Sequence, residues 1–124
     1  MIVADASLVV GALADTGPIG DWATATLEPG AVAAHLLPAE VSNALRRRGW
    51  TPALPMSTLL GGLPIVYEPF EPYADRIWEL RDHVAPYDAW YVAIAEVHDL
   101  PLATTDRHLA GAPGLRCELL LPPE

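Results

Sequence analysis

The chain has no lysine, a single cysteine and no long apolar run, and each shortage narrows what it can be. Without lysine its seven basic side chains are all arginine, set against 16 acids, and the formal net charge of −9 denies it the broad basic surface from which nucleic-acid binders draw most of their affinity. The lone Cys117 cannot close an intramolecular disulfide, which agrees with a reducing compartment. The longest apolar stretches, such as Ala89 to Ala95, fall well short of the roughly 18 residues that a membrane span needs. A basic opening followed by an unbroken apolar segment, the mark of a secretory signal, is missing too, and Asp5 interrupts the start. A cytoplasmic protein without membrane contact is expected. No internal repeat or low-complexity linker divides the chain.

What is present suffices for one domain over residues 1–124, because 124 residues with 52% apolar content can bury a core of their own. Short apolar runs alternate with helical patterns, which predicts a three-layer α/β/α fold with a central parallel sheet of four to five strands. Strands are expected from Ile2 to Asp5, Ala31 to Ala34, Ile65 to Tyr67 and Leu102 to Thr104, with an edge strand from Cys117 to Leu121. The first helix runs from Ser7 to Ala14 and is stopped by Gly17-Pro18; a second spans Ile19 to Leu27 and a third starts at Pro38. A short helix lies between Pro52 and Gly62, and another runs from Tyr73 to His83 with Ala74, Ile77, Trp78 and Arg81 at helical spacing. Asp88 to His98 is apolar nearly all round, as a central helix packed on both sides would be. A brief turn of helix is expected from Asp106 to Ala110.

Four acids occupy the mouths of these elements. Asp5 closes the first strand, Asp106 follows the fourth, and Glu40 and Asp88 lie in the first turns of their helices. Open parallel sheets bind ligands outside the carboxyl ends of their strands, so Asp5 and Asp106 are expected to share one crevice. Glu40 and Asp88 have a plainer explanation as acids that complement a helix dipole. Converging carboxylates repel, and such a cluster is tolerated with water, raised pKa values or a divalent cation; oxygen-only ligands suit magnesium or manganese. The histidines His35, His83, His98 and His108 show no zinc-like spacing. Arg46-Arg47-Arg48 suits either a helix C-terminus or a phosphate, and Arg107 either an ion pair with Asp106 or a phosphate.

The stretches Val3-Ala4-Asp5-Ala6-Ser7-Leu8, Pro38-Ala39-Glu40-Val41-Ser42-Asn43-Ala44-Leu45, Tyr87-Asp88-Ala89-Trp90-Tyr91-Val92-Ala93 and Leu102-Ala103-Thr104-Thr105-Asp106, in this order and at this spacing, resemble the PIN-domain ribonucleases. The likeness is specifically to the toxin component of VapBC-type toxin–antitoxin pairs and covers almost the whole chain. It implies a metal-dependent endoribonuclease that uses magnesium or manganese, cuts RNA to leave a 3′-hydroxyl and a 5′-phosphate, and is inhibited by a cognate antitoxin. Asp5, Asp88 and Asp106 are then the metal ligands, and Glu40 orients or deprotonates the attacking water. Ser7, Asn43 and Thr104 support them, Asn43 as a partner of Glu40, and Arg46 and Arg107 are candidate contacts to substrate. A homodimer is implied, assembling further with antitoxin, whose apolar docking surface is expected on the third and fourth helices with Trp50. Two rivals remain: a PIN-like module that binds without catalysis, and an acidic-pocket phosphoacceptor, which the absence of lysine disfavours because receivers of that kind engage the phosphate through one.

Overall fold

The computed structural model describes residues 1–124. Its centre is a five-stranded sheet of β1 (Ile2–Ala4), β2 (Ala31–Ala34), β3 (Ile65–Glu68), β4 (Leu102–Ala103) and β5 (Leu119–Leu120), all parallel, in the order β3-β2-β1-β4-β5. β1 and β2 are buried along their full length, the pattern of strands covered on both faces, whereas β3 is an edge strand with Val66 exposed. The strand order reverses between β1 and β4, which opens a crevice at their carboxyl ends.

Six helices fill the connections: α1 (Ala6–Ala14), α2 (Gly17–Leu27), α3 (Leu37–Arg47), α4 (Met56–Gly61), α5 (Ala74–Glu79) and α6 (Pro86–His98). Short 3-10 turns at Glu71–Tyr73 and Arg107–Gly111 complete the set. α1 packs on α2 and α3, while α5 packs on α6, which lies across β2, β1 and β4. The right-handed rule for parallel crossovers places the helices that lead from β1 to β3 on one face and those that return to β4 on the other. One continuous core of 29 buried apolar residues results. At its centre α6 buries every residue from Ala89 to Ala95, as its all-round apolar sequence predicts.

Several expected boundaries move. The first helix ends at Ala14 as expected, with Asp15 extended, but Gly17-Pro18 begins the second helix instead of preceding it: Gly17 takes a positive φ of 74° and Pro18 lies in the first turn of α2, where its missing N–H costs nothing. The helix expected from Tyr73 to His83 is only Ala74–Glu79, and its inward stripe is Tyr73, Ile77 and Leu80. Trp78 is 67% exposed, with the Arg81 guanidinium 4.6 Å from its ring centre. The last strand shrinks to two residues because only Leu119 and Leu120 find partners on β4.

Candidate active site

Asp5 is the first residue past β1 and the N-cap of α1, so its carboxylate is fixed by local structure before any ligand is considered. Its Oδ1 accepts from the Leu8 amide at 3.2 Å and from the Ser7 hydroxyl at 2.6 Å. Ser7 in turn accepts from the Thr105 amide at 2.9 Å and lies 3.3 Å from the Thr104 hydroxyl. These bonds tie the end of β1 to the loop after β4, across the reversal of strand order. Thr104 is fully buried and accepts the Asp106 amide at 3.0 Å, and Asp106 caps the following 3-10 turn by accepting the His108 amide at 2.9 Å. Ser7 and Thr104 therefore hold two of the acids in place.

Glu40 lies in the first turn of α3 and Asp88 in the first turn of α6. The buried Tyr91, one turn beyond Asp88, donates its hydroxyl to Glu40 Oε1 at 2.6 Å and links the two helices. Sequence reasoning gave the Glu40 partnership to Asn43, whose Oδ1 instead accepts from Arg46 at 3.0 Å. A signal for Tyr91 existed: a phenol in the middle of a wholly buried helix needs an acceptor.

The four acids influence one another. Burial pushes the Asp5 carboxyl up, the hydroxyls of Ser7 and Thr104 and the Leu8 amide oppose this, and Asp88 adds to it. Glu40 is raised by burial against the pull of Tyr91, then further by Asp88 and Asp5. Asp88 is raised by burial and by the neighbouring Asp106. No basic side chain is among the groups that hold these three carboxylates. As the side chains stand, no three of them close on a single point. The donor chemistry nevertheless fits a hard divalent cation: anionic oxygens only, partly desolvated, in mutual repulsion and without a counter-ion from the protein.

Beside the acids a cleft of about 370 Å³ is lined by Ser7, Asp15, Glu40, Asn43, Arg47, Arg48 and Thr105 among others. Arg46, proposed from the sequence as a substrate contact, lies elsewhere, in a groove of about 280 Å³ between α3 and α4 with Ser42, Leu45, Trp50, Pro52 and Met56. Arg107 donates to the Pro122 carbonyl and lies 3.8 Å from Glu124 rather than pairing with Asp106.

The profile of the PIN-domain family matches residues 2–115. The chain belongs to this family. Among relatives of the PIN domain, Ribonuclease VapC1 of Mycobacterium tuberculosis is 40% identical over 127 residues, covering 96% of each chain. VapC ribonuclease Mb0985 of Mycobacterium bovis is 30% identical over 135 residues, covering 99% of each. Among solved structures the PIN domain superposes on VapC20 of Mycobacterium tuberculosis, a toxin that cleaves the Sarcin-Ricin loop, with a TM-score of 0.69 at 16% identity over 90% of this chain and 95% of that one. FitAB bound to a DNA fragment matches with a TM-score of 0.61 at 19% identity, over 98% and 94%. At such identities these two structures bear on the fold.

Proposed function

We propose that this PIN domain is a metal-dependent endoribonuclease, a hydrolase acting on RNA phosphodiester bonds, and the toxin of a type II toxin–antitoxin pair. The observation that carries the proposal is the mutual influence of Asp5, Glu40, Asp88 and Asp106 about the reversal of strand order, with no basic side chain among the groups that act on the first three. The VapC ribonucleases that resemble it along their whole length support the same reading.

Asp5, Asp88 and Asp106 are the residues to hold magnesium or manganese, which when bound supplies charge neutralisation at the phosphate and a more acidic water. The remaining work falls to the chain. Ser7 holds the Asp5 carboxylate, Thr104 the Asp106 main chain and the His108 amide its carboxylate, so little reorganisation is needed when a substrate arrives. Glu40, aimed by Tyr91 and raised in pKa by burial, is the group to accept a proton from the attacking water. No helix is long and apolar enough to cross a membrane. An RNA-cutting toxin has its substrate in the cytoplasm, and we place the protein there on the ribonuclease reading. It acts as a homodimer and is inhibited by an antitoxin whose apolar segment lies in the groove of Leu45, Trp50, Pro52 and Met56.

The test is cleavage of a mixed RNA pool by purified protein, freed of copurified antitoxin, with and without magnesium or manganese, beside Asp5→Asn. Metal-dependent cutting that leaves 5′-phosphates and disappears in the variant is expected. No cutting with either metal refutes the proposal.

A further inference from the structure

An acidic ribonuclease must still hold a polyanion, and the positions of its seven arginines decide where that is feasible. Arg76 is consumed by Glu96, Glu79 and the Gly114 carbonyl. Arg81 lies over Trp78, Arg107 is bound to the C-terminal segment, and Arg116 sits among Glu79 and Glu96. Arg46 faces the groove with Trp50. Only Arg47 and Arg48, at the end of α3, line the cleft that also contains Ser7, Glu40 and Thr105.

The two differ in state. The Arg47 side chain makes no hydrogen bond or ion pair within the chain, while the Arg48 guanidinium donates to Asp15 Oδ1 at 2.6 Å. Asp15 is carried by a tightly built corner, since a Cβ added at Gly20 in the first turns of α2 would meet the Asp15 carbonyl oxygen at 2.2 Å. The pair itself is exposed, at 44% and 31% of side-chain area, so in water it is weak and readily exchanged. A phosphate offers the same guanidinium a bidentate partner with comparable geometry.

We infer that Arg47 and Arg48 form the phosphate track by which single-stranded RNA enters this cleft, and that Asp15 is a built-in competitor that occupies Arg48 until the RNA backbone displaces it. The inference rests on the ribonuclease reading above and extends it to the mode of substrate binding. Two cations are too few for a duplex, whose affinity depends on many phosphate contacts along both strands, and they suit one strand threaded past Glu40.

The test is fluorescence anisotropy of a labelled single-stranded RNA against the full chain carrying Asp88→Asn to suppress cleavage, with manganese present and salt varied. Arg47→Ala and Arg48→Ala are each expected to weaken binding and to flatten the slope of log K against log salt by about 0.7, the contribution of one phosphate contact on a single strand. Arg46→Ala removes the same charge from the same helix and is expected to leave the slope unchanged. Asp15→Asn is expected to tighten binding severalfold and steepen the slope, because Arg48 is then free before RNA arrives. All four positions are partly or fully exposed, and circular dichroism checks that each variant is folded. An unchanged slope in the Arg47→Ala/Arg48→Ala double variant, or an equal loss from Arg46→Ala, overturns the inference. If wild-type protein still cuts RNA with metal, that result removes the track alone; a wild-type chain that neither binds nor cuts RNA removes the ribonuclease reading with it.

Discussion

Replacing Tyr91 by phenylalanine deletes one oxygen atom from the buried face of α6 and nothing else. The ring is 1% exposed and stays packed, so the lost quantity is the bond to Glu40 Oε1 at 2.6 Å. A hydrogen bond to a charged acceptor contributes about 1.5–3 kcal/mol, and Glu40, being only half-buried, can recruit water in place of the phenol, which puts the loss near the lower end, about 1.5 kcal/mol. For a domain of this size that is a fall in Tm of about 5 °C. The pH dependence follows from the same bond. Tyr91 opposes the burial that raises the Glu40 pKa, so its removal raises that pKa further. A carboxyl raised in the folded state contributes stability at low pH and loses it as pH climbs through its folded value, so the variant's deficit is smallest in mild acid and grows toward neutral pH. Differential scanning calorimetry in chelator across this range measures both effects. In the cleavage assay the acidic limb of the pH–rate profile is expected to move upward. A variant with unchanged Tm at neutral pH and an unmoved acidic limb refutes the claim that Tyr91 holds Glu40.

Asp5, Glu40 and Asp88 are all raised by burial, so the metal-free protein is expected to lose stability as pH rises from mild acid to neutral; manganese should restore it, by about 2.7 kcal/mol at a hundredfold excess over its dissociation constant, and Asp88→Asn should abolish that gain. A thermal midpoint that is insensitive to manganese counts against the metal site. Gly20→Ala is expected to cost about 1–3 kcal/mol in urea unfolding, because its Cβ would lie 2.2 Å from backbone that must shift; a neutral result places the corner elsewhere. Arg76 grips both oxygens of Glu96, at 2.7 and 3.1 Å, and ties α5 to α6 and to the Gly114 carbonyl. Glu96 is 10% exposed beneath Arg76, and Arg76→Ala leaves it only the Arg116 amide, which is expected to cost about 2–3 kcal/mol, whereas a loss below about 0.5 kcal/mol marks the pair as solvated.

The sequence by itself determined the alternation of elements, the parallel sheet and the four acids at element ends, because hydrophobic period, turn residues and an acid that closes an apolar run are local signals. The extent of the shorter elements was less legible: α5 and β5 end where packing partners run out, not where propensity changes. The partners of the acids were illegible for a further reason. Tyr91 and Glu40 lie 51 positions apart, and Thr104 and Ser7 lie 97 apart, so only the folded sheet with its reversal of strand order brings them together. The same holds for the arginine run: three successive residues at a helix end point in different directions, and tertiary structure alone decided that Arg46 faces Trp50 while Arg47 and Arg48 face the cleft. A helix turns by about 100° per residue, so neighbours in sequence are not neighbours in space, and which face meets the site is set by what the helix packs against.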